Sequence, residues 1–148
     1  MSSIEKLLAR ILIYSFPRRI VFGLNSIDNI ADEVKALDGR NVLLVTDPVI
    51  AKTDAFVKIK ARLEAAEISF SVYDRVEPEP PLALAEEVAE LARRKKVDAV
   101  LAVGGGSTMD VGKVAALSLT NPGRVDSYLG MNLVKSRSAP LICAPTTS

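Results

Sequence analysis

Residues 97–113 read VDAVLAVGGGSTMDVGK, an apolar run that ends in three consecutive glycines and continues through Ser107, Asp110 and Lys113. Ala99 to Val103 has the length and β-branching of a buried strand. Gly104, Gly105 and Gly106 permit a sharp turn and let a ligand come close to the main chain. Ser107 or Thr108 is suited to cap a helix expected over 108–119, with Asp110 in its first turn. Strand, glycine turn and helix N-terminus together make an anion site, because the leading N–H groups point outward and the helix dipole favours negative charge. A phosphate or pyrophosphate is the natural occupant. The plain alternative is a tight strand-to-helix turn that binds nothing.

Two familiar phosphate motifs are absent. A G-x-G-x-x-G fingerprint starting at Gly104 needs glycine at 109, where the chain has Met109. A P-loop needs Ser or Thr after its Gly-Lys pair and another glycine five residues before the glycine of that pair; for Gly112-Lys113 those two places hold Val114 and Ser107. Asp110 and Lys113 are spaced i, i+3 and can pair on one helix face. The plain reading of that pair is a surface ion pair. The functional one has Asp110 organising the turn and Lys113 facing the ligand's negative charge.

Outward from this stretch, strand and helix signals alternate. Ile20 to Phe22 reads as a short strand and Ser26 to Leu37 as a helix with Ile27, Ile30, Ala31 and Val34 inward. Val42 to Thr46 reads as a buried strand. Thr53 or Asp54 opens a helix to about Glu67, with Phe56, Ile59, Leu63 and Ala66 apolar. Ser69 to Tyr73 is a strand, Leu82 to Lys95 a helix, and residues 140–144 a last strand. Residues 120–138 are the most loop-like. Strands joined by helices imply a parallel sheet, hence an α/β, Rossmann-like fold over residues 1–148 as one domain.

In such a sheet ligands bind beyond the carboxyl ends of the strands. Asp47, the glycines, Thr146 and Thr147 all fall there. Asp47 can accept hydrogen bonds from adenine ribose hydroxyls, and its charge would repel a 2′-phosphate, which favours NAD and leaves NADP open. Asp47 is equally a turn residue in a TDP sequence. Gly105, Gly106 and Ser107 would hold a pyrophosphate through main-chain N–H groups.

The 148 residues carry a net charge of +1, 49% hydrophobic residues, one cysteine and no histidine. No basic stripe points to nucleic acid, and no run of about 18 apolar residues points to a membrane span. Cys143 reads as a small buried hydrophobe, and a lone cysteine suits a cytoplasmic setting. Ile4, Leu7, Leu8, Ile11 and Leu12 share a helical face that can dock on this domain or on a partner subunit, as in a homo-oligomer.

GGGSTMDVGK resembles the GGGS-x-x-D-x-x-K signature of the iron-containing (group III) alcohol dehydrogenases. The resemblance runs from about Phe16 to Ser148. It includes Phe22-Gly23, VLLVTDPVI at 42–50, VEPEPP at 76–81 against VxPNPT, TNPG at 120–123, Tyr128-Leu129-Gly130, and PLICAPTTS at 140–148 against the strand before PTTxGTGSE. Asn25 stands where glycine is usual, Glu79 where Asn is usual and Pro81 where Thr is usual.

The resemblance implies a nicotinamide cofactor, a small alcohol or aldehyde substrate, and a divalent metal (Fe or Zn) polarising the alcohol oxygen for hydride transfer. It implies that Gly104, Gly105, Gly106, Ser107, Asp110 and Lys113 belong to the cofactor loop. It further implies that Asp47 sets cofactor choice, that Thr146 and Thr147 contact the cofactor, and that Leu129 lies near the nicotinamide. The family's metal ligands, one aspartate and three histidines, belong to an all-helical C-terminal domain. The 148 residues are therefore expected to be the cofactor half, to lack that domain, and not to turn over alcohol alone. A glycerol dehydrogenase-like relative and a stand-alone nucleotide-binding or assembly module are the alternatives.

Overall fold

The computed structural model describes residues 19–128 and 133–146. Among the described residues four strands form one sheet: β1 (Asn41–Thr46), β2 (Ser69–Tyr73), β3 (Ala99–Gly104) and β4 (Leu141–Pro145). Their order is β2-β1-β3-β4 and every pairing is parallel. The helices are α1 (Ile30–Ala36), α2 (Asp54–Ala65), α3 (Leu82–Arg94) and α4 (Gly106–Ser118). The fold is thus α/β and Rossmann-like.

Alternation along the strands decides which layer each side chain joins. Val42 and Leu44 pack with Ile30, Val34, Phe56, Ile59 and Leu63, so α1 and α2 cover one face. Leu43 and Val45 pack with Val88, Ala92, Val111, Ala115 and Ala116, so α3 and α4 cover the other. A strand buried on both faces reads as a near-continuous apolar run, and Val42 through Val45 are each 0% exposed. Each fully buried Leu or Val contributes about 1.5–3 kcal/mol.

Helix ends follow local chemistry. The Thr53 hydroxyl accepts from the Phe56 N–H at 3.3 Å and starts α2. Helices α1, α2 and α3 end with Asp38, Glu67 and Lys96 in left-handed backbone, where Gly is commoner. After α2 the Ile68 N–H returns to the Leu63 carbonyl at 3.0 Å, closing the last turn.

Four local expectations change. The helix expected over Ser26 to Leu37 is a 3-10 turn at Ser26–Asn29 followed by α1 at Ile30–Ala36, so Ile27 is only partly buried. Ile20 to Phe22 pairs with no strand among the described residues, and Ile20 and Phe22 are 77% and 97% exposed. A strand signal without a partner ladder leaves an extended segment. Helix α4 begins at Gly106 rather than 108, and its N-cap is Gly105 with no side-chain cap bond. Asp110 consequently sits in the second turn. Cys143 is exposed, because β4 has only β3 as a neighbour among the described residues.

Candidate functional site

The chain leaves β1 for β2 on one side of the sheet and β3 for β4 on the other, so the connection reverses between β1 and β3. Ligands in such sheets sit at that switch point, beyond the strand carboxyl ends. A cleft of about 390 Å3 lies there, between Asp47–Ile50, Val76–Pro78, Gly105–Thr108 and Thr146. A second depression at Lys35, Arg40 and Glu67 lies at the opposite end, by the C-terminal turns of α1 and α2.

Two bonds brace the cleft from beneath. The buried Thr46 hydroxyl donates to the Val103 carbonyl at 2.7 Å, and the Val76 N–H donates to the Thr46 carbonyl at 3.2 Å. The second folds the chain after β2 back over β1. On the far side the Thr146 N–H donates to the Gly104 carbonyl at 3.1 Å.

The glycine turn divides its labour. A Cβ on Gly104 would lie 2.6 Å from Thr108 Oγ1 and 2.8 Å from Thr108 Cβ, so this glycine lets α4 fold tightly onto the end of β3. A Cβ on Gly112 would lie 2.7 Å from Ala102 Cβ, so that glycine seats α4 against β3. A Cβ on Gly106 would meet nothing within 4 Å. Gly106, Ser107 and Thr108 form the first turn of α4 and line the cleft. The leading N–H groups of a helix have no intrahelical acceptor, and the dipole makes that end attractive to anions.

Of the residues expected at the site, Asp47, Gly105, Gly106, Ser107 and Thr146 line one cleft. Gly104 lies beneath it, as part of the packing. Asp110 and Lys113 do not line it. They form an ion pair of 2.9 Å with side chains 71% and 61% exposed, because the earlier helix start carries both past the first turn. Bonding to the Asp110 carboxylate raises the Lys113 pKa. Leu129 and Thr147 lie outside the described residues. Asp47 Oδ1 accepts from the Val49 and Ile50 N–H groups at 2.8 and 2.9 Å, so its turn role is realised in full while Oδ2 has no partner among the described residues.

Sequence reasoning missed Thr108, Val76, Glu77 and Pro78 in the cleft. Thr108 is 2% exposed and forms part of its floor. The other three follow β2, and only the Val76–Thr46 bond brings them to β1. Within that loop Glu79 has φ 49, a left-handed conformation that Asn tolerates better than Glu. Among the described residues no group of three His, Cys, Asp or Glu side chains could hold a metal ion. No helix among the described residues is long and apolar enough to cross a membrane.

A reversed parallel sheet with a glycine-lined cleft at its switch point is the architecture of nucleotide-binding α/β proteins. The family model for iron-containing alcohol dehydrogenase matches residues 17–148, and the chain belongs to that family. Sulfoacetaldehyde reductase of Bilophila wadsworthia is 37% identical over 131 residues, which span 88% of this chain and 34% of that protein. The crystal structure of a 1,3-propanediol oxidoreductase superposes with a TM-score of 0.87 at 31% identity, covering 93% of this chain and 36% of that one. Sulfoacetaldehyde reductase of Bifidobacterium kashiwanohense, solved in complex with NAD+, gives a TM-score of 0.75 at 27% identity, covering 94% and 37%. The chain thus spans about a third of the length of the relatives it matches.

Proposed function

We propose that this chain is the NAD-binding half of a metal-dependent alcohol dehydrogenase. The observation that carries the reading is Gly106. No neighbour within 4 Å requires a glycine there, yet the residue opens the helix at the mouth of the cleft. A ligand approaching the main chain supplies the missing reason. The Gly106 and Ser107 N–H groups would hold a pyrophosphate, and the free oxygen of Asp47 would accept from a ribose hydroxyl. Thr146 closes the opposite wall. The relative solved with NAD+ supports the same cofactor.

The cofactor, when bound, accepts or donates hydride. The described residues of the cleft would bind and orient it. Asp47 and Glu77 are the only titratable side chains lining the cleft among those residues, so the proposal assigns cofactor binding to this chain and not alcohol oxidation by these residues alone. Calorimetric titration with NADH tests it. Saturable binding, weakened by Gly106→Val, is expected. A folded chain that takes up no NADH would overturn the reading.

A further inference from the structure

We infer that Glu77 joins Asp47 as a second carboxylate that sets cofactor choice, admitting a ribose diol and refusing a ribose 2′-phosphate. This rests on the reading of the cleft as a nicotinamide dinucleotide site.

The backbone bond from the Val76 N–H to the Thr46 carbonyl spans 3.2 Å. The residues that follow its two ends, Glu77 and Asp47, both line the cleft. Among the described residues no Lys or Arg lines it with them. Neither carboxylate forms an ion pair among the described residues. Arg75, two positions before Glu77, is held away: its guanidinium pairs with Glu87 at 2.6 Å and lies 5.1 Å from the Tyr73 ring centroid. Asp47 spends one oxygen on the Val49 and Ile50 N–H groups, whereas Glu77 has no side-chain hydrogen bond among the described residues and is exposed.

A 2′-phosphate adds about −1.5 to −2 charge near neutral pH, as phosphomonoesters do. Among the described residues of the cleft it would meet two carboxylates and no cation. A ribose diol carries only donors and acceptors, and an additional carboxylate oxygen does not oppose it. Discrimination by repulsion of the wrong ligand needs no contact with the right one.

The test is titration of the 148-residue chain and its Glu77→Gln and Glu77→Lys variants with NADH and NADPH, at low and high salt. Glu77 is exposed, so neither change disturbs the core. Glu77→Gln should raise the ratio of NADPH to NADH affinity roughly two- to five-fold, the scale of one exposed charge interaction. Glu77→Lys should raise it further, and high salt should shrink both gains through screening. Normal NADH binding with an unmoved NADPH-to-NADH ratio would overturn this inference alone. Absence of NADH binding to the folded parent chain would overturn the cofactor reading and this inference together.

Discussion

The Thr46 hydroxyl donates a 2.7 Å hydrogen bond to the Val103 carbonyl and joins the carboxyl ends of β1 and β3 where the sheet reverses. Thr46 is 0% exposed, so this is a buried polar contact at the base of the cleft. Asp47 leaves from one of its ends and the glycine turn from the other. Thr46→Val keeps the shape and removes the donor. It should lower stability by about 1 kcal/mol, read as a reduced urea midpoint with an unchanged slope.

The adjacent glycines should separate cleanly. Gly104→Ala drives a methyl into Thr108 and should lower stability by about 1–3 kcal/mol, as overpacking does. Gly106→Ala places its methyl in open space, so the fold should be unharmed or slightly firmer while NADH affinity falls. Equal stability losses in the two variants would show that Gly106 also serves packing.

Asp47 has two roles that different substitutions can part. Asp47→Ala removes the acceptor for the Val49 and Ile50 N–H groups, and should lower stability by about 1 kcal/mol, as loss of a cap does. Asp47→Asn keeps an acceptor oxygen and removes the charge. It should retain stability in urea titrations yet bind NADPH more tightly than the parent chain does. An NADPH affinity no different from the parent's would deny Asp47 a part in cofactor choice.

Glu79→Asn should stabilise the chain by roughly 1 kcal/mol, because Asn accepts left-handed backbone that strains other side chains. The backbone at 79 has φ 49. A thermal or urea midpoint equal to or below that of the parent would contradict this account of the turn.

Acid should reveal the ion cluster between the segment before α1 and helix α2. Hydrogen bonding to Lys58 is the leading cause holding the Asp28 pKa below its ordinary 3.8; Arg62 adds to it and desolvation opposes it. The Lys58 and Arg62 contacts are 2.8 and 3.0 Å. A lowered folded-state pKa contributes stability above the unfolded value and loses it as pH falls through the folded one. The stability advantage of the parent over Asp28→Asn should thus hold near neutrality, begin to decline as pH falls below 3.8, and be gone only below the lowered folded-state pKa. A pH-independent difference between the two chains would assign the effect to shape rather than charge.

Much of the fold was legible because it is local. The apolar run at 42–46 and the 3.6-residue spacing of Phe56, Ile59 and Leu63 identified β1 and α2, and Thr53 caps α2 as its chemistry demands. Ile20 to Phe22 shows the limit of such reading. Its composition suits a strand, but a strand exists only where a second one offers its N–H and C=O groups.

The site divides in the same way. Sequence alone determined that a glycine turn follows a buried strand and opens a helix, because turn freedom, strand apolarity and helix initiation are decided within a few residues. Tertiary structure decided which glycine is packed and which is open, since a Cβ at 104 meets Thr108 and one at 106 meets nothing. It also brought Glu77 to Asp47 through a bond between residues 76 and 46, and left Cys143 exposed on β4. Each of these depends on neighbours distant in the chain or on the turn's exact path, and no local pattern of residue types specifies that space.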